Sequence, residues 1–196
     1  REVKGHFWHF KYPLADGVTR ADGLDYIEVA TTRPETMLAD MAVAVSADDP
    51  RYQSVIGKEI VQPLTGRRFK VVADEHADPE LGSGVVKITP GHDPVDYEVG
   101  QRLGLETRNV MGDDGSLNAN AGPLLAGLDR FVAREKIWEI LQSSGLSLKT
   151  EPHVSRVPRS QRGGEIVEPL VREQWFVRMQ PLAEPALAAV RGPSPQ

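Results

Sequence analysis

Apolar and polar side chains alternate along residues 5–14 (GHFWHFKYPL), with His6, Trp8, Phe10 and Tyr12 on one side and Phe7, His9 and Lys11 on the other. A period of two predicts a strand, which Pro13 ends because proline donates nothing to a ladder. Ala15-Asp16-Gly17 then reads as a turn, and the chain as a loop as far as Gly23. Residues 26–32 (YIEVATT), 41–45, 60–61 and 69–74 are β-branched or apolar runs bounded by glycine, proline and polar clusters, and each predicts a strand. Val85, Val86 and Ile88 form another, entered through two glycines and broken by Thr89-Pro90-Gly91. Residues 107–111 predict a strand followed by a hairpin turn at 112–115, and residues 174–179 (QWFVRM) predict a last one. Beyond Leu146 the pattern gives short strand-like pieces separated by Pro152, Pro158 and Pro169.

Helical spacing is confined to two places. Residues 94–103 predict an amphipathic helix with Asp93 as cap, Pro94 at its first position and Gly104 after its end. The second helix follows Asp129, with Phe131, Ile137, Ile140 and Leu141 recurring along one face, Trp138 in the core and Gly145 at the stop. Strands outnumber helices, so the fold class is mixed and β-dominated.

The chain has 196 residues, 40% hydrophobic and 26% charged, the size and make-up of one globular domain. No apolar run approaches ~18 residues, so no segment is expected to span a membrane, and the opening REVKGHFWHF has no apolar core of a signal peptide. A cytoplasmic location is the expectation. Cysteine is absent, which removes disulfides, thiol nucleophiles and cysteine-bound zinc. His6, His9, His76, His92 and His153 form no HExxH pair, and no cofactor or metal is expected. His6 and His9 read as strand surface residues. A net charge of −5 argues against a free-standing nucleic-acid binder. It allows a domain that touches only the end of a nucleic acid while a larger protein holds the rest. A start without methionine in sheet-like sequence gives residues 1–180 as a domain excised from a longer chain, with 181–196 a peripheral tail or linker.

Candidate chemistry concentrates in residues 82–100 (GSGVVKITPGHDPVDYEVG), where Lys87, Thr89, His92, Asp93 and Asp96 crowd a strand-to-helix junction. Asp93 can serve as a helix cap alone; Lys87, inside a β-branched run, needs either a buried partner or an edge strand. A second motif, TTRPETMLAD, places Thr31, Thr32 and Thr36 around Arg33, which the following proline holds extended. The hydroxyls could merely satisfy the backbone; the guanidinium is suited to phosphate or carboxylate. The acids of the 74–80 loop read as solvated, and Arg156, Arg159 and Arg162 either face a partner or belong to a solvated connector.

TTRPET, VVKITPGHDPVDYEVG, NVMGDDGSLN and EPHVSRVPRSQRGGEIVEPL, in this order, resemble the editing insertion of valyl-tRNA synthetases across most of the chain. Related insertions occur in isoleucyl and leucyl enzymes, and Gly91, Ala39 and Met41 differ from the residues commoner in the valyl ones. The resemblance implies a β-barrel core with flanking α-helices that hydrolyses threonyl-tRNA(Val), partnered by the tRNA 3′ end and the rest of the synthetase chain. It implies no amino-acid activation, because the HIGH and KMSKS motifs are absent. It points to Asp96 as anchor of the substrate ammonium, Asp93 and Lys87 as readers of the side-chain hydroxyl, Thr36 and Thr89 as pocket walls, Arg33 for the terminal adenosine, and His92 nearby. The rivals are an isoleucyl- or leucyl-type editor, or a binding module for a tRNA end or a protein in which the acids and Lys87 form only an ion network.

Overall fold

The computed structural model describes residues 2–192. β1 (Glu2–Pro13) is the middle strand of a three-stranded sheet, with β2 (Tyr26–Thr31) and β7 (Ser147–Arg156) antiparallel on either side. The second sheet contains β3 (Ala42–Val45), β4 (Glu59–Val61), β5 (Arg68–Ala73) and β6 (Val85–Ile88), ordered β4-β5-β3-β6. Only β3 and β5 are parallel. A bridge between Leu14 and Ile60 joins the sheets at one corner. The β-dominated class with flanking helices is therefore what is observed, although the ladders of the described residues stop short of a closed barrel.

The even-numbered side chains in the second half of β1 help build the main core. Trp8, Phe10 and Tyr12 are buried there, and edge-to-face contacts link Trp8 to Trp138 (4.9 Å between centroids) and Tyr12 to Phe69 (5.5 Å). Helix α2 (Arg130–Ser143) closes this core with Ala133, Ile137, Trp138 and Leu141, its cap Asp129 accepting two backbone amides as its position predicts. β3 is buried on both faces: Val43 and Val45 enter the main core, while Ala42 and Ala44 meet Ile88, Ala77 and Val99 in a second, smaller cluster. Val99 belongs to helix α1 (Pro94–Leu103), which ends at Gly104 in the left-handed conformation. The small cluster thus fixes α1 to the end of β6, where the candidate chemistry lies.

Several expectations are corrected. Pro152 does not break β7; it pairs with His6 in a strand at the edge of its sheet, where a missing donor costs no ladder bond on the open side. Residues 107–111 make only an isolated bridge, Met111 to Leu117, and residues 174–178 form no strand. Helix α3 (Met179–Arg191) follows and buries no residue. It crosses the boundary expected at 180, and residues 193–196 of the expected tail lie outside the described residues. Phe131 is exposed, with the guanidinium groups of Arg130 and Arg134 over its ring. His9 is buried rather than on the surface, with Nδ1 2.8 Å from Glu28. Asp74 is not a solvated loop acid, for it is buried in a bidentate pair with Arg102. No helix among the described residues is long and apolar enough to cross a membrane.

Candidate active site

The bend after β2 and the junction between β6 and α1 face one cavity of about 710 Å³. Thr31, Thr32, Arg33 and Thr36 line it from the bend, and Lys87, Thr89, His92, Asp93 and Asp96 from the junction, so the nine residues assigned to the site from the sequence meet there. The hollow beside Arg159 and Arg162 is walled only by the residues of its own turn, 159–164.

Local chemistry makes the bend rigid. Thr31 Oγ1 accepts the Arg33 amide at 3.0 Å, Pro34 opens a 3-10 turn spanning Pro34–Ala39, and the Thr36 hydroxyl donates back to the Arg33 carbonyl at 3.0 Å. The hydroxyls therefore satisfy backbone groups and wall the cavity at once. Arg33 donates to the His92 carbonyl at 3.0 Å and pairs with Glu168, while its Nε lies 3.6 Å from Glu35. Its fork is filled by protein groups. Glu35 is fully buried and held bidentately by Arg134, at 2.8 Å to each oxygen, which ties the bend to α2.

Beneath the cavity lies a residue the sequence reading missed. Asp40 is fully buried and accepts from Tyr12 Oη (2.6 Å), Thr89 Oγ1 (2.6 Å) and Lys87 Nζ (3.2 Å). Burial pushes its carboxyl up, opposed by the Lys87 charge and the donated hydrogen bonds, and burial likewise pushes the Tyr12 hydroxyl well up. Lys87 Nζ also donates to Thr36 Oγ1 at 3.0 Å and Thr89 Oγ1 at 2.5 Å. Three acceptors occupy the ammonium's three protons. The available signal was the demand itself: a lysine in a β-branched run needs a buried acid, and Asp40 lies between Ala39 and Met41 in an apolar stretch.

Asp96, 7% exposed, accepts the Thr89 amide through Oδ2 at 2.8 Å, and its Oδ1 takes no hydrogen bond among the described residues. Burial pushes this carboxyl up to about 6, with the Lys87 charge acting the other way. Asp93 is the cap of α1: Oδ1 accepts the amides of Val95 (2.8 Å) and Asp96 (3.2 Å), leaving Oδ2 toward solvent. His92 is buried and accepts the Val110 amide on Nε2 at 2.9 Å, which assigns its proton to Nδ1. Desolvation, then the charges of Arg33 and Lys87, bring its pKa down to about 4, so the ring is neutral at physiological pH. The arrangement offers one free carboxylate oxygen, a second carboxylate at the rim, and a fixed positive charge behind a ring of hydroxyls. Such a set can hold an ammonium and a hydroxyl-bearing side chain side by side.

No protein-family model matches the chain. Its fold is similar to part of a leucyl-tRNA synthetase (LeuRS) from Agrobacterium radiobacter K84, solved as a ternary complex with tRNA and LeuAMS, with a TM-score of 0.54 and 19% identity over 79% of this chain and 20% of that one. The fold is that of a class I synthetase editing domain. In sequence it is 51% identical over 187 residues to a valine–tRNA ligase from Lactobacillus johnsonii, 53% over 187 to one from Halalkalibacterium halodurans, and 52% over 183 to one from Prochlorococcus marinus. These alignments take in 93–95% of the chain but only 20% of each relative, so the chain spans about a fifth of the length of the relatives it matches. It belongs to the valine–tRNA ligase family.

Proposed function

We propose that this segment hydrolyses the ester of a mischarged aminoacyl-tRNA, with threonyl-tRNA(Val) as its substrate, inside a valyl-tRNA synthetase. The observation that carries the reading is Asp96: a carboxylate buried in the cavity wall, anchored through one oxygen and open through the other. Above pH about 6 that oxygen binds the α-ammonium of the substrate. Asp93 Oδ2 meets the threonine hydroxyl, which valine lacks; valine would leave polar groups unpaired in the closed site, and valyl enzymes are the standard example of a synthetic pocket that rejects threonine poorly. Lys87, its protons engaged, acts through charge and by setting the Thr36 and Thr89 hydroxyls. Arg33 offers the adenosine end a guanidinium that must first leave Glu168.

The reaction needs no covalent enzyme intermediate, because the ester is already activated. Water adds to the carbonyl carbon, the bond to the ribose oxygen breaks, and threonine and tRNA leave; fixing ester and water together supplies much of the acceleration. The test is Asp96→Asn in the full-length enzyme, assayed on threonyl-tRNA(Val) with isoleucyl- and leucyl-type mischarged tRNAs beside it. Deacylation of threonyl-tRNA(Val) should fall by about a hundredfold or more, as for loss of a group bound to the reacting substrate, with the thermal midpoint no lower than the parent's. Full hydrolysis by the variant would rule out the anchor, and preference for another mischarged tRNA would reassign the substrate.

A further inference from the structure

Phe7 belongs to neither apolar cluster of the described residues. On β1, Trp8, Phe10 and Tyr12 enter the core, Glu2, Lys4 and His6 are exposed, and Phe7 and His9 lie on the opposite side of the strand. The second side would ordinarily be polar. Phe7 instead lines the cavity, on the stretch of wall contributed by β1 and β7, together with His153, His9 and Glu151. Its ring centroid lies 4.2 Å from that of His153 and 6.4 Å from that of His9. The β1–β7 register explains how the rings meet: Phe7 is opposite Glu151, and His153 is opposite Gly5, whose lack of a side chain leaves the space beside Phe7 open. Both rings are only partly buried. The fold itself makes no use of this aromatic pair. Glu151, beside it, has a side chain 49% exposed; its Oε1 accepts from Lys149 Nζ at 2.5 Å, and its Oε2, 3.5 Å from His9 Nε2, is the oxygen left for a further donor.

We infer that Phe7 and His153 form a stacking platform for one unpaired base of an RNA 3′ end entering the cavity, with Glu151 accepting from that base's exocyclic amino group. The inference rests on the editing reading for the nature of the ligand. Flat π-faces give stacking to any base; a carboxylate accepts from an exocyclic amino group, which uracil lacks, its single N3–H being flanked by two carbonyl oxygens that repel the carboxylate. A platform in the same cavity as Asp96 holds the RNA equally in the ground and transition states, so its loss is read in KM and Kd rather than in kcat.

The experiment uses the full-length synthetase and an RNA hairpin ending in single-stranded CCA, threonylated for turnover and free for equilibrium binding. Phe7→Ala and His153→Ala should each raise KM for deacylation and Kd for the free hairpin about 5- to 100-fold, with kcat unchanged, while Phe7→Trp keeps both. An abasic residue at the contacted position should cost as much in the parent enzyme and nothing further in Phe7→Ala. Unchanged KM and Kd in both alanine variants, or strictly additive losses with an abasic residue at each of the last two positions, would overturn the platform. Asp96→Asn in the same assay separates the two readings. If it keeps full turnover, editing by Asp96 fails, and the Kd values of the Phe7 and His153 variants still decide the platform.

Discussion

Lys87 and Asp40 are paired at 3.2 Å under the cavity, the acid fully buried and the lysine side chain 12% exposed, and together they hold Tyr12, Thr36 and Thr89 by hydrogen bonds. Desolvating two charges is repaid only when both are present. Asp40→Ala is therefore expected to cost about 3–5 kcal/mol, because it strands the ammonium. Combining Asp40→Asn with Lys87→Met should cost less than the two single changes summed, by about 0.5–3 kcal/mol of coupling. Urea unfolding of the four proteins measures this, and additivity would show that the pair acts as two independent groups.

Asp96 and His92 give stability opposite dependences on pH over nearly the same window. The Asp96 carboxyl is raised from 3.8 to about 6, so its contribution is complete below about pH 3.8 and is lost as pH rises through about 6. His92 is lowered from 6.5 to about 4, so its contribution is present above 6.5 and is lost as pH falls through about 4. In the parent protein the two slopes offset. Asp96→Asn, whose amide oxygen can still accept from Thr89, should be more stable than the parent at pH 8 by up to about 3 kcal/mol, and should lose stability steadily from pH 6.5 to 4 as the His92 effect stands alone. Unfolding free energies at pH 8, 6 and 4 check this. Parallel profiles for parent and variant would contradict the Asp96 shift, and a variant profile flat from pH 6.5 to 4 would contradict the His92 shift. Deacylation should rise with pH through about 6, since only the ionised Asp96 binds an ammonium.

Local signals in the sequence located the two motifs that carry the cavity's polar groups, because these are short stretches with their own backbone logic; the wall from β1, β7 and the 76–81 loop was not legible. Asp93-Pro94 opens α1 and Gly104 ends it; Arg33-Pro34 makes the bend. Properties set by distant neighbours were not legible. Pro152 reads as a strand breaker until β7 is known to be an edge. Residues 174–178 alternate like a strand but pair with no strand among the described residues. His9 was placed on the correct side of β1, yet that side is buried where Glu28 and Glu151 reach it across two strand pairings. Asp40 is marked locally only as an acid in an apolar stretch, and its partners Tyr12, Thr89 and Lys87 are assembled only by the fold. Resemblance to valyl editing domains supplied the order of motifs and the class of chemistry; it left the filled donors of Lys87 and Arg33 to be found.

Gly91 is required by the close approach of another segment. A Cβ there would stand 2.0 Å from the Arg108 carbonyl oxygen and 2.7 Å from its carbon, backbone atoms that cannot turn aside. The alanine commoner in valyl enzymes would thus need residues 108–109 to sit farther off. Gly91→Ala should cost about 1–3 kcal/mol, as overpacking does, and should loosen the His92 to Val110 bond, which spans the same contact. Thermal unfolding measures the cost, and hydrogen exchange at the Val110 amide measures the loosening. Full protection of that amide in the variant would show that the loop moves with His92 as one body.

Arg134 fixes α2 to the bend through Glu35, and Arg33 reaches the same carboxylate from the other side at 3.6 Å. Because Glu35 is fully buried, Arg134→Ala leaves its charge with the more distant guanidinium alone. The expected loss is about 3–5 kcal/mol, reduced to the extent that Arg33 turns toward Glu35. That turn would cost Arg33 its bond to the His92 carbonyl and its pair with Glu168, so deacylation should weaken together with stability. Arg134→Lys keeps the charge and loses the fork, and should fall between the parent and Arg134→Ala in both measurements. A variant that loses stability while retaining full turnover would separate the α2 anchor from the geometry of the bend.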